Sequence, residues 1–519
     1  MKVFKIILLT CLASLVESSF AQHNSILLNS FFKDRLLLHA THDSHAGTSF
    51  YPAFESTYDL NKKIADSSKQ YYDLTEILFK KHLFEAKGED YYITISPVVD
   101  LRRGRDRADT NVRALFQNTR GIFVEGDLLK NFSFSTTIYE NQARFTNYET
   151  EYYRSVGELY PNQTNGIYTT QNAVVPGAAR TKPFKGDAFD YGYAQGNIIY
   201  RIHPSLVLNA GNTPMFVGDG HRSLLLSDNS IGTPFVRADI KLLKQLQFTY
   251  MRSRLMNLMR KPVSTTVESY YEPKSLAVNY LSWQPVHSLS ISLFEATVWS
   301  KGDSITARRT NPMLLNPIPF LSGLVVSSDD MSSVTGLNLS WILAKQHRFY
   351  GQFALTNLDS KKYAWQLGYR GFSYLGLKDL MVQVEYNEVS NGMYTSSNRR
   401  LNFVNYNLPL AHTKGTGFRE ILVRTNYEWK RTYIDVAAFV FLLKDYSALD
   451  LLPVEKNVLR ETGTVLYQQM EIGYRFNRKM NLSLFASWLY RKESFGEQRT
   501  TSAISIGFRT GINNHYNDF

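Results

Sequence analysis

The run at 211–230, GNTPMFVGDGHRSLLLSDNS, contains residue types from which a chemical site could be built. Two glycines flank an aspartate, a histidine and a serine lie two residues apart, and a Ser-Asp-Asn follows three leucines. This spacing fits a phosphate-binding loop, a catalytic serine corner, or a bend between two strands. The candidate site residues are Gly218, Asp219, Gly220, Arg222, Ser223, Ser227, Asp228 and Asn229.

The first two interpretations each require a partner feature. A phosphate loop needs the spacing GxxxxGK[ST] at the start of a helix, but no lysine follows Gly220 and SLLLS is typical of a strand. A serine hydrolase would use His221 and Ser223 on one side of a strand, with Asp219 near and an oxyanion hole. No elbow motif accompanies them, so we expect a structural corner, no catalytic residue and no cofactor, with an outer-membrane hydrolase as the alternative.

From about residue 90 onward, hydrophobicity alternates with a period of two residues, as in strands with one apolar face. In 363–370, Tyr, Trp, Leu and Tyr alternate with Ala, Gln, Gly and Arg. The alternation recurs in 380–387, 421–429, 482–490 and 504–508. A soluble exported glycan-binding β protein would alternate too, so it remains a second alternative.

Aromatic residues favour a membrane barrel. They make up 14% of the chain and cluster near predicted strand ends, as in Tyr427 and Trp429, and such girdles mark the two bilayer interfaces of barrels. The terminal Phe519 suits a chain handed to the barrel-assembly machinery, which reads a terminal aromatic residue. We predict an all-β fold, a transmembrane outer-membrane β-barrel of about 16–18 antiparallel strands with a small N-terminal helical periplasmic element.

The first 22 residues predict a secretory signal peptide. Lys2 and Lys5 precede an apolar run at 6–16, and the small-residue site at 19–21 follows. The single cysteine, Cys11, lies within this segment, so the exported chain has no disulfide. After it, no window has the roughly 18 apolar residues that a spanning helix needs. We therefore expect residence in the outer membrane.

Residues 23–88 are predicted to be a helical periplasmic segment, and 89–519 the barrel. Apolar residues recur at helical spacing in 60–78, and a polar linker is expected at 39–52. This linker contains His39, His42 and His45, whose spacing resembles a metal-binding tract. Only a helix would bring the three together, so we predict a linker and no metal site.

The formal charge of +12 predicts affinity for anions. For an exported chain these are lipid head groups, lipopolysaccharide and acidic glycans, and we expect no nucleic-acid partner. The expected partners are outer-membrane lipid and either surface polysaccharide or proteins of a motility or secretion apparatus. We expect a monomeric barrel.

Several stretches together resemble one family. They are NTRG at 118–121, ENQARF at 140–145, PG at 176–177, FDY at 189–191, GDGHRSLLLSDN at 218–229, HAGTSFYP at 45–52 and NYNLPLAHTKGTG at 405–417. The chain is similar in these to the capsule-assembly, Wzi-like outer-membrane proteins, and most similar to their branch in Bacteroidetes that is associated with gliding motility. It departs from the capsule type by having Gly-Asp-Gly where a Trp-Gly-Pro-like element occurs.

The resemblance implies a barrel of about eighteen strands over a small periplasmic helical bundle. It also implies a non-enzymatic role, either in attaching or assembling capsular polysaccharide or in gliding motility and surface adhesion. The corner residues at 218–229 would then be structural or lumen residues. Glu140, Asn141 and Arg144 are candidate polar partners for them in the lumen.

Overall fold

The structure is a computed structural model, and it describes residues 25–43, 47–54, 81–109, 114–129, 131–162, 167–178, 180–260, 271–300, 312–319, 321–322, 330–456, 460–495, 498–511 and 514–519. The predicted signal peptide at 1–22 and the helical spacing at 60–78 lie outside these ranges. The boundary predicted between the helical segment and the barrel stays a prediction.

The described residues form two short α-helices and many strands. In chain order they are α1 (Ser30–His42), β1 (Phe50–Tyr51), β2 (Phe84–Lys87), β3 (Tyr91–Asp106), β4 (Leu115–Leu128), β5 (Phe132–Arg144), α2 (Asn147–Ser155), β6 (Glu158–Pro161), β7 (Tyr168–Gln171), β8 (Lys182–Phe184), β9 (Ala188–His203), β10 (Leu206–Gly211), β11 (Phe216–Val217), β12 (Phe235–Leu243), β13 (Leu246–Arg260), β14 (Tyr271–Val286), β15 (Leu289–Ser300), β16 (Met331–Leu343), β17 (His347–Thr356), β18 (Tyr363–Phe372), β19 (Leu380–Val389), β20 (Val404–Asn405), β21 (Leu408–Pro409), β22 (Phe418–Trp429), β23 (Thr432–Tyr446), β24 (Glu461–Asn477), β25 (Leu482–Glu493) and β26 (Arg499–Thr510). Three 3₁₀ turns lie at Pro312–Leu315, Tyr374–Gly376 and Arg399–Leu401.

Eighteen strands close into an antiparallel barrel, which confirms the predicted fold class. Around the ring the order is β3, β4, β5, β9, β10, β12 to β19, and β22 to β26. The ring closes where 503–509 of β26 pair with 100–106 of β3. The short strand β2 pairs with the first half of β3. Closure leaves no open sheet edge along this seam, so each strand is bonded on both sides.

The two ends of the barrel differ in the length of their connections. At one end the strands are joined by short turns, such as 204–205, 244–245, 287–288 and 430–431. At the other end the connections are long, including 145–187, 212–234, 390–417 and 447–460. Outer-membrane barrels have short periplasmic turns and long extracellular loops. We therefore call these the inner end and the outer end.

The outward face of the barrel is an apolar belt. Leu367 is 62% exposed and Ile506 is 61% exposed, although both are large apolar residues. Their neighbours in sequence point to the lumen, as the buried Gln366 does. Near the inner end the belt has a row of exposed aromatic residues: Trp283, Trp341, Trp429 and Tyr474. The apolar side of each two-residue repeat faces outward, as the alternation predicts.

The N-terminal helix forms where its sequence supplies a cap. The side chain of Asn29 accepts a hydrogen bond from the N–H of Phe31 at 2.9 Å, and the N–H of Asp43 bonds back to the carbonyl of His39 at the other end. In the described part of the chain, neither helix has the length and apolar character to cross a bilayer. The position of α1 is decided by ion pairs with the barrel wall.

The helix α1 is fixed to the lumen wall near the inner end. Asp34 pairs with Arg370 of β18 at 3.3 Å and with Arg424 of β22 at 2.8 Å, and Arg35 pairs with Glu428 at 3.1 Å. Among the described residues of the predicted helical segment, α1 therefore lies against the barrel wall, and the periplasmic bundle stays a prediction. Charged groups on the wall attract the helix into the barrel mouth.

The predicted linker at 39–52 also differs from expectation. Its first residues, including His39 and His42, continue α1, while His45 lies outside the described residues. Further on, Phe50 and Tyr51 form β1, which pairs with Val217 and Phe216. This stretch is ordered because a lumenal loop provides it with a strand partner.

The terminal residue does not lie on a membrane-facing strand. Residues 514–519 turn back into the lumen after β26, and Phe519 is only 4% exposed. Its ring stacks on Tyr152 of α2 with centroids 4.0 Å apart, and Arg491 donates to its carbonyl oxygen at 3.1 Å. The terminal aromatic residue is thus held by α2 in an outer loop, at the end of a short tail that follows β26.

We predict that Ile506→Arg destabilises the barrel by about 2–4 kcal/mol, since it places a cation in the hydrocarbon layer. The free energy of unfolding is measured by urea titration of protein folded into lipid vesicles. The control Ile506→Val keeps the face apolar and should change little. Equal stability of the two variants would show that Ile506 does not face lipid.

Candidate functional site

The loop between β10 and β12, residues 212–234, crosses the lumen. It leaves one side of the barrel and makes hydrogen bonds with β17, β18, β19 and β22, which lie on the opposite side. All the predicted corner residues belong to this loop, and every charged or polar side chain among them is buried. The predicted corner residues therefore lie together inside the lumen.

Asp219 connects the loop to two other parts of the chain. Its carboxylate pairs with Arg348 of β17 at 3.0 Å and accepts hydrogen bonds from Ser49 and Tyr51 at 3.1 and 3.0 Å. Burial raises the pKa of this carboxyl, but Arg348 and the hydrogen bonds outweigh burial and hold the pKa below its usual value. Asp219 is therefore an ionised junction between the wall, the loop and the N-terminal segment.

Arg222 makes the second junction. Its guanidinium pairs with Glu420 of β22 at 3.2 Å, and with Asp518 of the C-terminal tail. The backbone N–H groups of His221 and Arg222 both donate to Glu385 of β19, at 2.9 and 3.2 Å. Because Glu420 also bonds His412 at 2.7 Å, the loop 390–417 joins the same network.

The histidine beside this junction is uncharged. Burial lowers the pKa of His221 well below its ordinary value, and the nearby Arg222 lowers it further. Its ring packs against Phe439 and Tyr516, with centroids 5.6 and 5.9 Å away. His221 therefore serves as a packing residue in this structure.

Ser223 has no hydrogen-bonding capacity left for catalysis. Its hydroxyl donates to the carbonyl of Val217 at 2.5 Å and accepts from the N–H groups of Leu225 and Leu226 at 3.2 and 3.1 Å. A hydroxyl has one donor and two acceptor positions, and all three are used. The residue stabilises a turn, and the three leucines that follow it are buried in the lumenal hydrophobic core.

Asp228 fixes the C-terminal tail. It accepts hydrogen bonds from Tyr516 at 2.7 Å and Asn514 at 2.9 Å. Burial raises the pKa of its carboxyl. Nearby, the side chain of Asn229 donates to the carbonyl of Pro409 at 3.3 Å, and the N–H of Ser227 donates to Leu410 at 2.7 Å. The end of the corner thus fastens both the tail and the loop 390–417.

The two glycines of the corner are required by close approach. Gly218 has φ +120°, and a Cβ there would lie 2.3 Å from the Nε2 of Gln352. At Gly220 a Cβ would lie 2.7 Å from a carboxylate oxygen of Glu385. The carbonyl of Gly220 accepts a hydrogen bond from Lys33 of α1 at 3.0 Å. Burial lowers the pKa of Lys33 to about 7. The glycines let the loop backbone touch the wall and the helix.

The three other predicted lumen residues, Glu140, Asn141 and Arg144, lie in three different surroundings. Asn141 is buried and accepts from Thr119 at 2.5 Å. Glu140 is exposed on the same face of β5 as Ile138, so it points away from the lumen. Adjacent residues of a strand face opposite sides, which is why Glu140 and Asn141 cannot both face inward. Arg144 lies at the outer rim, where it pairs with Asp187 at 2.8 Å.

Sequence reasoning missed the wall partners of the corner: Arg348, Gln352, Glu385, His412 and Glu420. Each of the four on a strand occupies the lumen face of an alternating segment. The pattern could have marked them as polar and inward. It carried no signal of which one meets the loop, because the contacting residues are more than 120 positions apart in the sequence.

The tail and the wall enclose two polar cavities. One of about 260 Å³ lies toward the inner end, against α1, and another of about 120 Å³ lies toward the outer end, against α2. The wall residues Arg102, Glu471 and Arg509 and the tail residues 515–517 line both. The tail therefore lies between the two cavities. Their charged linings can hold water and small polar solutes.

We predict that Asp219→Asn destabilises the folded chain by about 3–5 kcal/mol, because it leaves the buried Arg348 without its carboxylate. The measurement is urea unfolding in vesicles, followed by tryptophan fluorescence. The control is Arg419→Gln, which removes a cation from a pair at the surface with Glu388 and should leave stability unchanged. Loss of the same stability in both variants would contradict a special role of the buried pair.

No family model matches the chain, and no curated protein sequence matches it. Among solved structures it is similar to Wzi of Escherichia coli, an outer-membrane protein involved in group 1 capsule assembly and a carbohydrate-binding β-barrel. The TM-score is 0.56 with 11% sequence identity, and the match covers 95% of this chain and 100% of that chain. The similarity shows a common fold. It supports the Wzi-like resemblance in fold, and does not bear on a gliding branch or on Bacteroidetes.

Weaker similarities extend to two further solved structures. OccK7 of Pseudomonas aeruginosa matches with a TM-score of 0.43 and 9% identity, covering 81% of this chain and 98% of that chain. OccAB4 of Acinetobacter baumannii gives 0.42 and 10%, covering 82% and 98%. The chain is a closed eighteen-strand barrel similar in fold to Wzi.

Proposed function

We propose that the chain is a non-enzymatic β-barrel of the outer membrane that holds polysaccharide at the cell surface. The observation that carries the proposal is the crossing of the lumen by the loop 212–234, fixed at both junctions by buried ion pairs. A barrel filled in this way is suited to present a rigid outer surface, and less suited to general diffusion. The fold similarity to a carbohydrate-binding barrel points in the same direction.

The apolar belt supports membrane residence. Large apolar side chains such as Leu367 and Ile506 are mostly exposed. In water this exposure would cost free energy, whereas in the hydrocarbon layer of a membrane it does not. Aromatic residues at the inner rim fit the bilayer interface. The filled hydrogen-bonding capacity of Ser223 speaks against the hydrolase alternative. The closed sheet with its apolar outer face speaks against a soluble protein.

We predict that deletion of the chain from an encapsulated host releases polysaccharide from the cell surface into the medium. Cell-bound and released polymer are quantified by uronic-acid and hexose assays of washed cells and supernatants. Restoring the chain should restore retention, and a second assay should follow spreading on a surface. Normal retention with impaired spreading would replace this function by a role in motility.

We also predict that the intact chain conducts poorly in planar lipid bilayers, because the loop and the tail fill the lumen. Deleting residues 514–519 removes the segment between the two cavities and should raise single-channel conductance severalfold. The control Lys182→Gln changes an exposed residue of an outer hairpin and should leave the current unchanged. Porin-like conductance of the intact chain would contradict occlusion and favour a channel.

A further inference from the structure

We propose that the outer end carries a binding surface for an acidic polysaccharide, and this inference rests on the proposed function. The surface, here called the outer patch, is formed by Arg180, Arg260, Arg400, Lys456, Tyr160, Tyr168 and Tyr271. These residues come from the loops 145–187, 390–417 and 447–460 and from the outer ends of β13 and β14. The loops start at well-separated positions around the ring and meet over the barrel mouth.

The acids that pair with the outer patch are buried, whereas two of its arginines are exposed. The side chain of Glu158 is fully buried and accepts hydrogen bonds from Arg260 and Tyr271, each at 2.6 Å. Glu272 is nearly buried and pairs with Arg400 at 3.3 Å. In contrast, the side chains of Arg180 and Arg400 are 44% and 36% exposed. A ligand that approaches from outside meets guanidinium groups before it meets carboxylates.

Two aromatic rings of the outer patch lie beside its buried cation, Arg260. The guanidinium carbon of Arg260 lies 4.8 Å from the ring centre of Tyr160 and 5.5 Å from that of Tyr271. Tyr168 pairs across the β6–β7 hairpin with Pro161, next to Tyr160. All three rings are partly exposed. A tyrosine ring offers a flat apolar face to the C–H side of a sugar, and a neighbouring arginine can bind a carboxylate through two hydrogen bonds.

The outer patch is held rigidly before any ligand arrives. The hairpin of β6 and β7 touches β13 through a parallel pair, Leu159 with Met259. Asn407 donates to the carbonyl of Gly157 at 2.9 Å, which ties the loop 390–417 to the hairpin. Lys456 reaches Thr170 of the hairpin at 3.4 Å. Such preorganisation limits the ordering cost of binding.

The chemistry of the outer patch favours a polymer of acidic sugars. Repeating carboxylates along a polymer match cations that are spread over several loops, and sugar rings between carboxylates match the tyrosines. The outer patch lies on the long loops and on the outer ends of β13 and β14. For that reason we assign it a polysaccharide, and treat lipopolysaccharide phosphate as an outcome of the test.

The test measures binding of alginate oligomers, a uronic-acid probe, to the full chain in detergent micelles by isothermal titration calorimetry. Dextran oligomers of equal length serve as the neutral probe. We expect the chain to bind alginate and to lose affinity as salt is raised, with dextran binding much weaker. The triple variant Arg180→Gln, Arg400→Gln, Lys456→Gln should bind alginate about 10- to 100-fold less tightly.

The matched control removes three other exposed outer cations, through Lys182→Gln, Lys185→Gln and Lys361→Gln, so the change in net charge is identical. Its alginate affinity should stay within about twofold of the parent chain, since these lysines lie outside the outer patch. A second pair, Tyr168→Phe and Tyr168→Ala, tests the ring, and only the alanine variant should weaken binding. Heat-modified mobility in detergent gels verifies that each variant is folded.

Distinct results overturn distinct claims. Equal losses in the triple variant and its control would reduce the outer patch to a net-charge effect and remove the assignment. Equal binding of alginate and dextran would keep glycan binding but remove its acidic class. If the chain binds lipopolysaccharide vesicles but neither oligomer, the ligand of the outer patch is a phosphate group and not a polysaccharide. Absence of all glycan binding, together with normal polysaccharide retention in the deletion strain, would overturn the proposed function itself.

Discussion

The fold depends on one constraint: hydrocarbon offers no hydrogen-bond partner to a peptide group. A sheet in that medium must bond every strand on both sides, and here the pairing of β26 with β3 achieves it. The same constraint separates the side chains. Apolar residues face out along the belt, and polar residues are directed into the lumen, where they need partners of their own.

Three segments of the chain enter the lumen and provide those partners. The N-terminal helix, the loop 212–234 and the C-terminal tail bring groups of opposite charge to the wall. Asp219 with Arg348 and Arg222 with Glu420 are the central pairs, and both are almost completely buried. Pairs of this kind add little net stability over an apolar filling, but removing one partner is costly. They therefore determine where each of these segments lies in the lumen.

Buried contacts connect the central ion-pair network to the outer patch. His412 and Glu420 join the central network to the loop 390–417, and Asn407 joins that loop to the hairpin that carries Tyr160 and Tyr168. Buried contacts thus run from the middle of the lumen to the outer patch. A preformed outer surface loses little entropy when it binds a partner.

The two-residue alternation, as at 363–370, was enough to predict strands with one apolar face, because the alternation of side chains along a strand depends only on local geometry. The sequence also located the corner at 218–229. The folded structure was needed to show that α1 and Phe519 enter the lumen and that Glu140 points outward. It also revealed the partners Arg348, Glu385 and Glu420. Those outcomes depend on contacts between residues far apart in the chain, and a local pattern cannot encode which distant charge a buried side chain will meet.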